Sequence, residues 1–179
     1  MKGIQSETLD ASASAETPTL AQAQNFNPLP NPAKRASGEA LIGLVADLTG
    51  LYQQVKTAHW NLRGQGFIGL HRLFDEVGAS LLTTIDEAAE RARQLGLVVD
   101  GNLAAVASLT RVGPFPTGLV TASVACSHLC SSIATVVESM RHTVQGASGE
   151  FFDPVTADLL TSRSRALETQ LWLIESHVE

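Results

Sequence analysis

Cysteine is scarce in this sequence, which excludes several fold and site classes at once. The chain of 179 residues contains only Cys126 and Cys130. Two thiols are too few for the disulfide framework of a small secreted domain, and their spacing of one helical turn favours a reducing compartment. They also cannot supply the ligands of a four-cysteine zinc site. We therefore expect a cytoplasmic protein held together by its hydrophobic core.

The sequence also contains few basic residues. Twelve Lys and Arg residues stand against 18 Asp and Glu residues, which gives a formal net charge of -6 and a pI near 5.3. This balance gives no general attraction to nucleic acid or to an anionic membrane, whereas it can concentrate cations. The N-terminus has one early lysine, Lys2, followed by polar residues without an apolar segment, so no secretory signal is predicted.

One uncharged stretch is long enough to cross a membrane. Residues 112–137 contain no Asp, Glu, Lys or Arg. The stretch also contains two prolines, two glycines and many Ser and Thr residues, and it lacks the density of Leu, Ile and Phe that insertion requires. Its composition predicts a buried helix of a bundle and not a transmembrane helix.

Four helical patterns follow a polar tail. Residues 1–37 are rich in Ser, Ala, Thr, Gln, Asn and Pro, and we expect a flexible tail there. Apolar residues at helical spacing predict helices from an N-cap at Ser37 to about residue 62, over 67–95, over 118–144 and from an Asp153-Pro154 start to about 174. The connection over residues 97–116 contains a short helix near Leu103. Without strand signals, residues 38–179 are predicted to form one all-α four-helix bundle.

Five potential metal ligands lie within 32 residues of the first two predicted helices. They are His59, His71, Asp75, Asp86 and Glu90. Imidazole and carboxylate together suit iron, manganese and zinc, whereas calcium prefers oxygen ligands alone. The pattern therefore predicts a site for a first-row divalent ion.

The spacing of these residues predicts that the site is completed by a second subunit. His71 and Asp75 share one face of the second helix, and so do Asp86 and Glu90, because each pair is four residues apart. The two pairs are nevertheless roughly 16 Å apart along the axis at 1.5 Å per residue. A two-fold dimer would bring one pair from each chain together and would form two equivalent sites. His59 would join from the first helix.

Each of these residues also has an ordinary explanation when taken singly. His59 on an apolar stripe could be a hydrogen-bonded core histidine, and Asp86 with Glu90 could form a solvated face beside Arg91 and Arg93. All five residues, however, lie beside the apolar stripe of their helices and not opposite it. This shared position favours a metal site over five unrelated explanations.

The same segments resemble a known family. Residues 56–64 read KTAHWNLRG, residues 67–76 read FIGLHRLFDE and residues 86–91 read DEAAER. Near the C-terminus, residues 156–161 read TADLLT and residues 171–175 read LWLIE. These motifs closely resemble the signature of the Dps family, the bacterial mini-ferritins named as DNA-binding proteins from starved cells. The resemblance covers about residues 38–179 and leaves the tail outside it.

This resemblance implies a ferritin-like four-helix bundle with a short helix between the second and third helices, assembled into a hollow shell of twelve subunits. It implies a ferroxidase centre in which His59, His71 and Asp75 of one subunit meet Asp86 and Glu90 of its two-fold mate. The implied reaction is oxidation of Fe(II), by hydrogen peroxide in preference to dioxygen, with ferric mineral stored in the cavity. Trp60 resembles a family residue that quenches oxidising equivalents, and a packing aromatic is the equal alternative.

The resemblance also implies an iron entry pore at a three-fold axis. Asp158 matches a pore position, while Glu150 and Asp153 are weaker candidates because Asp153 is equally well explained as an N-cap. Full-size ferritins are a poorer match, because their Glu-x-x-His pairs are absent: Glu138 and His142 are four residues apart. We expect the two cysteines to be small buried residues, and His142 and His177 to be structural or surface residues.

DNA binding is the alternative function, located at the nucleoid. DNA-binding relatives neutralise phosphates with a basic tail. In residues 1–37 the three basic residues are balanced by three acidic ones: Lys2, Lys34 and Arg35 against Glu7, Asp10 and Glu16. This neutral tail favours iron detoxification and storage over nucleoid compaction. A shell that holds zinc or manganese at the same site is a third possibility.

Overall fold

The computed structural model describes residues 25–178 and shows five helices. They are α1 (Asn31–Asn61), α2 (Phe67–Gln94), α3 (Leu103–Leu109), α4 (Ala122–Ser148) and α5 (Pro154–Glu175). Two short strands, β1 (Leu62–Arg63) and β2 (Val120–Thr121), pair in parallel. The all-α four-helix bundle and the short helix in the middle connection are thus confirmed, and the strand pair is a small addition. Most of the predicted tail, residues 1–24, lies outside the described residues.

The first helix begins earlier than the sequence predicts. It starts at Asn31 with a proline in its first turn, and the predicted N-cap Ser37 is buried inside α1. Proline at the start of a helix has its φ already set and lacks an N–H that would have no partner. The proline-rich run therefore starts the helix, and the prediction that it belongs to a tail ending at residue 37 is wrong for residues 31–37.

Glycines mark both ends of α2. Gly64 and Gly66 before it, and Gly96 after it, have positive φ values of 95°, 80° and 91°. This left-handed conformation is one that glycine adopts without the steric cost of a Cβ. Both predicted ends of this helix are confirmed to within one residue. The third long helix runs from Ala122 to Ser148 instead of from 118 to 144.

A long crossover returns the chain from the end of α2 to the start of α4. The β1–β2 pair places the start of α4 beside the end of α1. Asp47, fully buried in α1, anchors the crossover by accepting hydrogen bonds from the Arg111 backbone N–H at 2.6 Å and from its Nε at 3.0 Å. A buried carboxylate requires such donors. This anchor keeps the connection against the bundle.

The core lies between two helix pairs. Helix α1 packs mainly on α2, α4 packs on α5, and α1 also contacts α4. The largest fully buried side chains include Phe74 of α2 and four leucines of α1: Leu41, Leu44, Leu48 and Leu51. Among residues 25–178, no helix is both long and apolar enough to span a membrane. The uncharged stretch 112–137 is divided between the crossover, β2 and α4.

Candidate functional site

The two predicted histidine ligands lie face to face between α1 and α2. The His59 and His71 rings stack with centroids 3.7 Å apart and planes inclined by 16°. The Nδ1–H of His59 donates to the carbonyl oxygen of His71 at 2.8 Å, and the Nδ1–H of His71 donates to the carbonyl oxygen of His59 at 3.0 Å. Both rings are half-buried. The reciprocal bonds hold the two imidazoles in one fixed arrangement.

This arrangement selects the tautomer that a metal ligand needs. A carbonyl oxygen can only accept, so both Nδ1 atoms must carry the hydrogen. In each neutral imidazole the lone pair is then on Nε2. Backbone carbonyls commonly orient metal-binding histidines in this way. Both Nε2 atoms are therefore available to bind a divalent ion.

Asp75 lies beside these rings. Its Oδ1 is 4.0 Å from His59 Nε2, and its side chain is 62% exposed. Metal bonds to such ligands are roughly 2.0–2.2 Å long, so the two atoms can contact one ion. Within the described part of one chain, however, no three His, Cys, Asp or Glu side chains converge to hold a metal. The structure thus brings part of the predicted site together and leaves it incomplete.

Lys56, a residue that the sequence pattern did not single out, contacts Asp75. Its Nζ donates to Asp75 Oδ1 at 2.7 Å and lies 5.9 Å from the centre of the Trp60 ring. The hydrogen bond and the charge of Lys56 hold the pKa of Asp75 below its ordinary value. Lysine three residues before His59 was visible in the sequence, but its direction depends on how α1 packs against α2. The carboxylate therefore remains ionised and is partly neutralised.

The second predicted ligand pair lies on the same helix, farther along. Asp86 and Glu90 are both exposed, one turn apart in α2. They remain roughly three helical turns from Asp75 because α2 is a continuous helix at 1.5 Å per residue. One chain therefore carries the two predicted half-sites separately on one surface.

The end of α2 that carries Asp86 and Glu90 is fastened to α5. Glu87 pairs with Arg163 of α5. Arg91 is buried, and it donates to Asp153 Oδ1 at 2.7 Å. Of the two arginines expected beside the acidic pair, Arg91 is thus buried, whereas Arg93 is exposed like Asp86 and Glu90. These two ion pairs tie the half-site to the opposite helix pair.

Asp153 is the N-cap of α5, and its side chain is buried instead of facing a pore. It is 1% exposed, and it accepts hydrogen bonds from the Thr156 backbone N–H at 3.2 Å and from the Thr156 hydroxyl at 2.6 Å. Burial raises the pKa of Asp153, but these bonds and the charge of Arg91 outweigh it and leave the pKa below its ordinary value. Its prediction as a weak pore residue is wrong, because the carboxylate is buried and is engaged by Thr156 and Arg91. Asp158 and Glu150 are exposed.

The remaining predicted residues fall outside the metal half-sites. Trp60 is 65% exposed, so it does not pack into the core of its own chain. Cys126 is buried, and burial raises the pKa of its thiol to about 11, so that it stays protonated at neutral pH and is a poor metal ligand. His142 and His177 are exposed, as expected for surface residues.

Comparison with known proteins identifies the family. Residues 38–179 match the family described as Ferritin, ferritin-like domain. The chain is 36% identical over 153 residues to the DNA protection during starvation protein of Agrobacterium fabrum, covering 86% of this chain and 94% of that protein.

Solved structures agree with this match. DpsC from Streptomyces coelicolor superposes with a TM-score of 0.83 at 30% identity, covering 87% of this chain and 91% of that one. Dps from Microbacterium arborescens in its high iron form superposes with a TM-score of 0.78 at 27% identity, covering 87% and 98% of the two chains. The motifs around the stacked histidines, the crossover bundle and these matches lead to one conclusion: the chain belongs to the Dps family of ferritin-like proteins.

Proposed function

We propose that this protein is a cytoplasmic ferroxidase that oxidises Fe(II) at sites between subunits and stores the ferric product in a hollow dodecamer. The observation that carries the proposal is the reciprocal bonding of His59 and His71, which leaves both Nε2 atoms free beside Asp75. Dps from Microbacterium arborescens, a similar protein, has a high iron form, which is consistent with iron handling.

A two-fold dimer would complete the site. The half-site with His71 and Asp75 and the half-site with Asp86 and Glu90 share one surface of α2, so an antiparallel second copy would place each opposite its complement. Leu82 lies on that surface between them and is 49% exposed. A large apolar side chain between two polar half-sites is typical of a surface that another subunit covers. The partner's contact would remove this leucine from water.

The charge of the assembled site suits ferrous iron. The ligands supply three carboxylates, Asp75, Asp86 and Glu90, which nearly neutralise two ferrous ions, and Lys56 Nζ lies 2.7 Å from Asp75 Oδ1. The carboxylates favour the ferric product because its attraction to them is stronger. Neutral imidazoles and carboxylates bind iron without the strong retention of a thiolate site. Oxidised iron can therefore leave for the cavity.

Iron oxidation by the purified full chain tests this proposal. Fe(II) is added to the apoprotein without oxygen, hydrogen peroxide or air is injected, and ferric absorbance is followed together with elution on a sizing column. We expect rapid oxidation and soluble iron that elutes with a large shell. His71→Ala should lower the rate by more than about 100-fold, because loss of an outer-shell partner alone costs metal sites about 10–100-fold.

His142→Ala is the matched control, because this histidine is exposed on α4 and lies outside both half-sites. It should oxidise iron at the wild-type rate. Equal rates for wild type, His71→Ala and buffer would contradict the ferroxidase proposal. Prior loading with zinc or manganese then tests whether the site prefers another ion, because a tightly held ion would block iron oxidation.

DNA binding is the second candidate, since relatives are named for DNA protection. The cations at the start of α1 are already engaged: Lys34 Nζ donates to Asn25 Oδ1 at 3.0 Å, and Arg35 pairs with Glu39 at 2.8 Å. A tail without net positive charge on an acidic shell releases few counterions from duplex DNA. We therefore expect no retention of duplex in a gel-shift assay at physiological salt.

A charge-reversed tail provides the positive control for that assay. In the variant Glu7→Lys/Asp10→Lys/Glu16→Lys, each change replaces a negative charge by a positive one and so raises the net charge of every tail by two. This variant should retain duplex DNA at low salt and release it as salt rises. Tight, salt-sensitive retention by the wild-type shell would instead favour a nucleoid role.

A further inference from the structure

We propose that the ammonium of Lys56 drives oxidised iron out of the site, because it repels a ferric ion more strongly than a ferrous one. The inference rests on the ferroxidase function proposed above and adds a residue to it. The ligand carboxylates attract ferric iron more strongly than ferrous iron, so they favour oxidation but also retain the product. A fixed positive charge beside them opposes this retention, and Lys56 supplies that charge.

Lys56 contacts the ligand atom that lies nearest the histidines. Its Nζ is 2.7 Å from Asp75 Oδ1, and the same oxygen is 4.0 Å from His59 Nε2. An ion bound to this oxygen at roughly 2.0–2.2 Å would be no more than about 5 Å from the ammonium in this arrangement. An ammonium has no lone pair, so it cannot become a ligand and acts on the ion through its charge.

The position of Lys56 makes this charge effective. Its side chain is only 18% exposed, so little water screens it. Its stem passes over the bare backbone of Gly78 in α2, where a Cβ would be 3.6 Å from Lys56 Cδ. Within the described part of the chain, no other lysine or arginine pairs with any of the three predicted carboxylate ligands. The effect of a nearby cation can therefore be tested at this one residue.

The repulsion increases with the charge of the ion. Coulomb energy is proportional to the product of two charges, so the ammonium repels Fe(III) about one and a half times as strongly as Fe(II) at the same distance. A binding constant depends exponentially on this energy. If loss of the charge makes a divalent ion bind about tenfold more tightly, a ferric ion in the same position should bind about 30-fold more tightly. Lys56 thus weakens the binding of the product more than that of the substrate.

Binding of a divalent ion is measured first. Lys56→Met removes the ammonium and keeps an unbranched stem over Gly78. Co(II) is titrated without oxygen into the full-length apoprotein, and its absorption spectrum is followed. Lys56→Met should bind Co(II) about tenfold more tightly than wild type, which is the repulsion that remains at about 5 Å even with water-like screening. Lys56→Gln should behave like Lys56→Met, and Lys56→Arg should return the affinity towards the wild-type value.

Release of the ferric product is measured separately. The apoprotein first oxidises a portion of Fe(II) made from the Mössbauer-active isotope, and then an equal portion made from a silent isotope. Mössbauer spectra of samples frozen at increasing times show whether the first portion has left the ligands for the mineral. In Lys56→Met the first portion should stay at the ligands at least about ten times longer than in wild type. Oxidation of the second portion should slow to match, whereas the first should be oxidised at least as fast as in wild type.

Lys34→Met is the matched control, because it removes the same charge from α1 at a point roughly 33 Å along the helix from Lys56. It should bind Co(II) and release ferric iron as wild type does. Equal retention of ferric iron in wild type and Lys56→Met, with or without tighter Co(II) binding, would overturn this inference and leave the ferroxidase function standing. Iron oxidised by wild type no faster than in buffer would overturn both.

Discussion

Two inactive variants should recover activity when their subunits are mixed. His71→Ala removes a ligand from one half-site, and Asp86→Ala removes a ligand from the other. In a dimer with one subunit of each kind, one composite site carries both defects and the other carries neither. Random pairing therefore restores about a quarter of all sites. Unfolding the two variants together, refolding them and measuring ferric absorbance should give about a quarter of the wild-type rate.

The controls for this experiment use the same procedure on one variant at a time. His71→Ala refolded alone, and Asp86→Ala refolded alone, should stay inactive, because every site in either shell lacks one ligand. A mixture of His71→Ala with Asp75→Ala should also stay inactive, because both changes fall in the same half-site. Recovery in that mixture, or none in the first, would contradict a site shared between subunits in the proposed arrangement.

The bundle was predictable because it depends on residue spacing, and the family was predictable from the motifs around His59, His71 and Asp86. A helix fixes which side chains share a face, so the distance between Asp75 and Asp86 follows from counting residues. The reciprocal bonds between His59 and His71 were not predictable. They depend on the separation of α1 and α2, which is set by packing in the core between them. Lys56 was missed for the same reason.

The incorrect predictions concern residues whose neighbours in the sequence are compatible with two different roles. Ser37 is a good N-cap residue, but Pro32 starts α1 earlier, and the helix continues through Ser37 because Leu41 and its neighbours bury the same face. Asp153 resembles a pore acid when it is considered next to Glu150. Its burial depends on Arg91, which is 62 residues away in the sequence, and no local pattern reveals such a contact.

Loss of the Asp153 charge should destabilise the protein strongly. Asp153→Asn keeps an N-cap residue for α5, but it leaves the buried Arg91 without its anionic partner. Removing one member of a buried ion pair costs about 3–5 kcal/mol. Asp158→Asn is the matched control, because Asp158 is exposed on the same helix, and it should change stability by less than about 0.5 kcal/mol. Urea unfolding at neutral pH and equal protein concentration measures both.

The ion pair between Asp153 and Arg91 should make the stability of the protein depend on pH in the acidic range. The pKa of Asp153 is lower in the folded protein than in the unfolded chain, so its contribution is complete above the unfolded value, near pH 4, and is lost as pH falls through the folded value. Wild type should therefore lose stability below about pH 4 more steeply than Asp153→Asn, and the two curves should converge in strong acid. Parallel curves throughout would show that Asp153 does not titrate with folding. A stability difference between wild type and Asp153→Asn that did not change with pH would then reflect only the geometry of the N-cap.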